Sequence, residues 1–199
     1  MQNAKDSFYL ALRTRLVGIN PERTILLRAV LRPGILVEEA EAPFAQLPTD
    51  VFVLRWLGLG VDQDLPSEMV AAECEVLYST LGTQSFGGLD RGRALAEMDS
   101  ELVGMLTPFW TPKLNYAVQP AAAMLSNVFW DEPVFGAVTA VRDRLSRTAR
   151  VVVYSYVEGS ELAGLQVGEL AGGWGDRWWL ILIWRPLRWC GGCVGILRR

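Results

Sequence analysis

Phe8, Ala11, Leu12 and Leu16 recur at helical spacing, so the first twenty residues predict an amphipathic helix with its greasy stripe on one side. Asn3 is placed to cap it, and Asp6 favours the positive end of its dipole. Arg13 and Arg15 flank the stripe, and Gly18 and Asn20-Pro21 end the helix. The pattern then changes. Residues 24–31 are rich in Ile, Leu and Val and predict a strand, Pro33-Gly34 suits a type II turn, and residues 35–39 predict the returning strand of a hairpin. Pro43 and Pro48 bracket a loop. Residues 51–59 are almost continuously apolar, as expected for a strand buried on both faces or at a subunit contact. After a polar loop at 62–67, residues 70–80 alternate: Cys74, Val76 and Tyr78 on one face, Glu73, Glu75 and Leu77 on the other.

A Gly/Ser loop at 83–88 leads to a second helix at 90–106, with Asp90 as cap and Leu95, Met98, Leu102, Met105 and Leu106 as its stripe. Pro108, Pro112, Pro120 and Pro133 interrupt residues 107–145, which predict a long loop carrying six aromatic residues, among them Trp110 and Trp130. Residues 145–157 predict the last strand. The order implies an α+β fold: a small mixed, mainly antiparallel sheet of four to five strands flanked by two helices, over residues 1–159. Residues 160–199 form a Trp-rich extension: five of the eight Trp lie there, alternation is lost, and five bases stand against three acids.

Composition narrows the chemistry. Histidine is absent, which excludes Ser-His-Asp and Cys-His nucleophile systems and imidazole-bound zinc. Three cysteines fit a reducing compartment better than a disulfide scaffold. Cys190-Gly-Gly-Cys193 has thioredoxin-like spacing, but it lacks the strand-to-helix context, and Cys74 is the one further thiol for a zinc site. A net charge of −3 without a Lys/Arg run argues against duplex nucleic acid as a direct ligand. The start of the chain lacks signal-peptide order, and the longest apolar run near the end, seven residues, is too short to cross a membrane as a helix. The glycines of 82–88 lack the Lys-Ser/Thr of a phosphate loop. Glu73 with Glu75, and Glu38, Glu39 and Glu41, are acid–base candidates whose spacing a solvated face explains equally well. No catalytic, cofactor or metal residues are therefore assigned, and no cofactor is expected.

The opening DSFYLALRTRLVGINPERTILLRAVLRPGILVEEAEAP, the passage AECEVLYSTLGTQSFGGLDRGRALAEMDSELVGML and the late strand SRTARVVVYSYVEG together resemble minor tail proteins of the tail-terminator type, found in long-tailed phages and prophages. The resemblance covers about residues 3–160. It implies a structural protein, not an enzyme: a hexameric ring that caps the last ring of the tail-tube protein and offers a surface to a head-completion protein. DNA would pass through the lumen without specific binding. The protein would assemble in the cytoplasm and end in the virion tail, with no membrane partner. A ring needs unlike patches that meet. The expected interface residues are Phe52, Leu54 and Trp56 of the apolar strand, Trp110 and Trp130 of the aromatic loop, and Arg91 and Arg93 facing Glu73 and Glu75 of a neighbour. A head–tail connector or other minor capsid subunit is the nearest alternative. A small carboxylate-using enzyme and an adaptor acting through the Trp-rich tail are alternatives of other classes.

Overall fold

The first helix begins earlier than a cap at Asn3 predicts. In the computed structural model, which describes residues 1–40, 47–62, 68–83, 86–159 and 161, α1 spans Gln2–Ile19 with Met1 at its N-cap. Asn3 instead accepts the Tyr116 N–H at 3.4 Å. The stripe is as predicted: Phe8, Leu12 and Leu16 are buried, joined by Ala4 and Ser7. The second helix, α2, is Arg91–Leu106, and Leu95, Met98, Leu102, Met105 and Leu106 are its buried face.

The strands are β1 (Thr24–Leu27), β2 (Val30–Pro33), β3 (Ile35–Val37), β4 (Phe52–Asp62), β5 (Met69–Thr80), β6 (Trp110–Asn115), β7 (Ala122–Trp130), β8 (Val134–Phe135), β9 (Thr139–Val141) and β10 (Arg144–Tyr156). The fold is α+β as expected, but the main sheet has eight strands, not four to five. Its order is β3-β4-β5-β10-β7-β6, with β8 and β9 also on β10. Only β3–β4 is parallel.

Two corrections explain the count. Residues 107–145 are not a loop: they supply β6 to β9, and β9, β8 and β7 lie in turn along one edge of β10 while β5 follows the other. Pro112 is tolerated because β6 is an edge strand, and the register shifts between Pro112 and Leu114. The hairpin also lies elsewhere. β1 and β2 form their own two-stranded unit, and the turn is Arg28-Ala29, both at positive φ (50° and 62°). Gly34 makes no turn; it lies against Arg23, where an added Cβ would sit 3.1 Å from the carbonyl oxygen. It joins β2 directly to β3, which runs parallel to β4.

Both helices cover one sheet face, where Phe52, Leu54, Cys74, Val76, Tyr78, Val151 and Val153 complete the core. Phe8 meets Trp130 edge-on at 5.1 Å and Trp56 at 5.9 Å. On the opposite face, Ile25 and Leu27 of β1 cover Leu36, Val51 and Val53. Burial of β4 on both faces therefore holds for residues 51–54 and stops there, since Leu57, Leu59 and Val61 are exposed. The polar loop at 62–67 falls largely outside the described residues, the Trp-rich extension does so except for Glu161, and Pro43, Cys190 and Cys193 do so wholly.

Candidate functional site

Alternation in β5 places Glu73 and Glu75 on the face away from the helices, in register with Val152 and Arg150 of β10. There they join a row of charges that crosses three strands and ends at Glu38, just past β3. Arg55 of β4 grips Glu38 with two nitrogens, at 2.5 and 3.0 Å, and lies 4.0 Å from Glu75. Arg150 reaches Glu75 at 3.5 Å and Glu73 at 3.6 Å. The hydrogen bonds from Arg55 hold the Glu38 carboxyl below its ordinary pKa of 4.5. These acids therefore have cationic partners within the chain. Neither acid–base chemistry nor pairing with Arg91 or Arg93 of another subunit is needed to account for their charge.

Arg91 and Arg93 lie at the start of α2. The Arg91 Nε donates to the Gly88 carbonyl at 2.8 Å, and Arg93 is exposed. Asp90 does not cap the helix; its carboxylate accepts the Thr83 N–H at 3.0 Å. Leu81, Gly82, Thr83, Gly87, Gly88, Arg91, Arg142 and Asp143 line an open cleft here.

Of the expected interface residues, Phe52, Leu54 and Trp130 are 0, 0 and 3% exposed. They fill the chain's own core and cannot also form a subunit contact. Trp130 is completed by its Nε1–H bond to the Leu106 carbonyl. Trp56 is partly buried against Phe8, with Lys5 4.9 Å from its ring centroid. Trp110 is half-exposed.

Three buried polar clusters hold the elements together. Glu101 of α2, 4% exposed, accepts both Arg23, through two nitrogens, and Asn20 at 2.6 Å, while Arg23 also donates to the Asp50 carbonyl. Asp99 accepts the Tyr78 hydroxyl and Arg147. Burial first, then the Asp99 carboxylate, raises the Tyr78 pKa and keeps the phenol neutral. Lys113, 1% exposed, donates to the Tyr156 carbonyl and to Glu161, which also takes the Met1 amino group at 3.2 Å. In each cluster the carboxylate meets a cation of the same chain, while the Arg147 Nε is buried without a hydrogen-bond partner among the described residues. Burial pushes the Cys74 thiol up to about 12, so it is a core residue and not a nucleophile.

Apolar side chains are also left exposed. The outer edge of β4 pairs with β3 only over Phe52–Leu54; among the described residues no strand covers residues 55–62. Leu57, Leu59 and Val61 on this stretch are 46, 58 and 50% exposed. The hairpin exposes Leu26, Val30 and Leu31, and Leu26 and Leu31 are cross-strand neighbours. The sequence marks the strand at 51–59 as a subunit contact but points to Phe52, Leu54 and Trp56 within it, and it does not single out the hairpin set. The signal for the first was the alternation of Leu57, Leu59 and Val61 with Gly58 and Gly60, which gives one greasy face and one bare backbone face.

Among the described residues no group of three or more His, Cys, Asp or Glu is placed to hold a metal ion, and no helix is long and apolar enough to cross a membrane. No family model matches the chain, and no curated protein matches it.

Proposed function

We propose that the chain is a structural subunit of a phage or prophage tail, of the tail-terminator kind, working by association with copies of itself in a ring on the tail tube. One observation carries this reading: a single chain bears two unlike apolar surfaces, the far end of β4 and the outer face of the β1–β2 hairpin. Unlike surfaces give head-to-tail association, which closes into a ring when the rotation permits. The charged clusters, by contrast, pair their acids with cations of the same chain. The net charge of −3 suits a lumen that DNA crosses without sticking.

Native mass spectrometry of the full chain tests the reading, followed by electron microscopy with purified tail tubes. The expected result is one closed oligomer that binds tube ends. A monomer that leaves tube ends bare overturns it. Binding to portal complexes instead of tubes would move the subunit to a head–tail connector.

A further inference from the structure

The two exposed surfaces differ in charge as well as in shape. From Arg23 to Pro33 the hairpin segment carries three arginines and no acid, and Arg28 at its tip is exposed. Residues 57–70 carry three acids and no base, and Glu68 is exposed. Residues 56–61 read Trp-Leu-Gly-Leu-Gly-Val, without charge or proline, and the register with β5 shifts between Trp56 and Gly58.

The surfaces do not meet within one chain. The hairpin is held near the Phe52 end of β4: the Gly34 N–H bonds to the Arg23 carbonyl at 2.7 Å, and the Phe52 N–H to the Gly34 carbonyl at 2.8 Å. Leu59 lies about 23 Å further along the strand, while a four-residue strand spans only about 13 Å. β1 and β2 pair only with each other, so the hairpin too has free backbone edges among the described residues.

We infer that the β1–β2 hairpin of a second copy docks on the free edge of β4 over residues 56–61, extending the sheet across the subunit boundary. Leu26 and Leu31, which share the outer face of the hairpin, cover Leu57, Leu59 and Val61 of the next copy. Arg28 supplies charge opposite to that of the exposed Glu68, just before β5. Backbone pairing supplies affinity, and the leucines and charges fix direction and register. The contact is heterologous: each subunit gives a hairpin on one side and receives one on the other. This inference rests on the proposed ring and names the surfaces that close it.

Native mass spectrometry of the full chain compares wild type, Leu59→Lys, Leu31→Lys and an equal mixture of the two variants. Each substitution is at an exposed site and should leave thermal unfolding of the subunit unchanged. Each alone is expected to weaken association by about thirtyfold or more, as for a central apolar anchor. The mixture is expected to give a 1:1 heterodimer that grows no further, because Leu59→Lys keeps a sound hairpin and Leu31→Lys a sound edge. Wild-type assembly by either variant, or a mixture that stays monomeric, overturns the inference while leaving the ring intact. If a Lys variant unfolds early, Leu59→Thr and Leu31→Thr replace it with the same expected pattern. A monomeric wild type overturns the ring reading itself, so the two failures are distinct.

Discussion

The main sheet treats its two ends in opposite ways. At the β6 end, α1 lies along the edge and its side chains take up the strand's spare backbone groups. The Leu114 N–H goes to the Ser7 hydroxyl at 3.0 Å, the Tyr116 N–H to Asn3, and Arg15 donates to the carbonyls of Met105, Pro108 and Trp110 at 2.8–2.9 Å. At the β4 end nothing comparable happens beyond Leu54 among the described residues, and leucine and valine stand in solvent. An unpaired edge is a template for another chain. A fold that seals one edge with three polar side chains and, among the described residues, leaves the other open fits a division of tasks: the sealed edge stabilises the subunit, and on the proposed reading the open edge receives a partner.

That separation makes stability and association respond to different residues. The largest effect is expected where the hairpin is anchored. Arg23→Ala leaves Glu101 buried without its counter-charge and should cost about 3–5 kcal/mol in urea unfolding. It should also weaken assembly, because the hairpin loses its fixed root. A loss below about 1 kcal/mol would mean that the anchor matters little. Next comes the sealed edge itself. Arg15→Ala gives up three carbonyl bonds and a guanidinium 5.3 Å from the Trp130 ring centroid, at an expected cost of about 2–3 kcal/mol. Arg15→Lys should recover little of it, since one ammonium cannot span that fork. Leu59→Lys on the open edge should by contrast stay within about 0.5 kcal/mol of wild type in subunit stability while abolishing assembly. If Arg15→Ala and Leu59→Lys destabilise the subunit alike, the division between the edges fails.

These elements were not equally legible in the sequence. α1, α2, β5 and β10 follow clean periods of 3.6 or 2 residues because each packs one face on the same core. The eight-stranded extent of the sheet was hidden because β6 to β9 are short and carry prolines, which an edge strand admits and a central strand does not. The hairpin was misplaced by one strand because its turn uses Arg28 and Ala29 at positive φ, without the Asn-Gly or Asp-Gly that announces such turns. Pro33-Gly34 announces a turn and instead makes a close crossing over Arg23. The candidate site fared worse. Hydrophobicity marked residues 51–59 as one strand, but burial divides it after Leu54, where β3 ends. That depends on the length of a neighbour, which no local pattern encodes. The ion pairs of Glu73 and Glu75 likewise depend on register with β10, some 75 residues away.

A smaller effect tests the sealed edge alone. Ser7 is 3% exposed, donates to the Asn3 carbonyl at 2.7 Å and accepts from Leu114. Ser7→Ala leaves that N–H unpaired in the interior, so a loss of about 1–2 kcal/mol is expected from chemical denaturation. No change would show that β6 does not need α1 to cover it.

The smallest effect separates the two edges by pH. At the point where β4 loses its neighbour, the Glu38 N–H makes the last bond, to the Leu54 carbonyl at 2.9 Å, and the Glu38 carboxylate holds Arg55. Its pKa is depressed, chiefly by the hydrogen bond from Arg55. A depressed acid stabilises the fold above its unfolded value of about 4.5, and the contribution is lost as pH falls through the lower, folded value. The pair is partly solvated, so Glu38→Gln should cost only about 0.5 kcal/mol near pH 7. That difference should shrink between pH 7 and pH 3, as protonation of the wild-type carboxylate removes the charge that Arg55 holds. Ser7 and Asn3 do not titrate, and Arg15 keeps its charge throughout this range. The Ser7→Ala loss should therefore be the same at both pH values. Urea titrations of the two variants at each pH decide the matter: acid should loosen the open edge first, and a Glu38→Gln difference that is undiminished at pH 3 would show that the carboxylate is not what holds that corner.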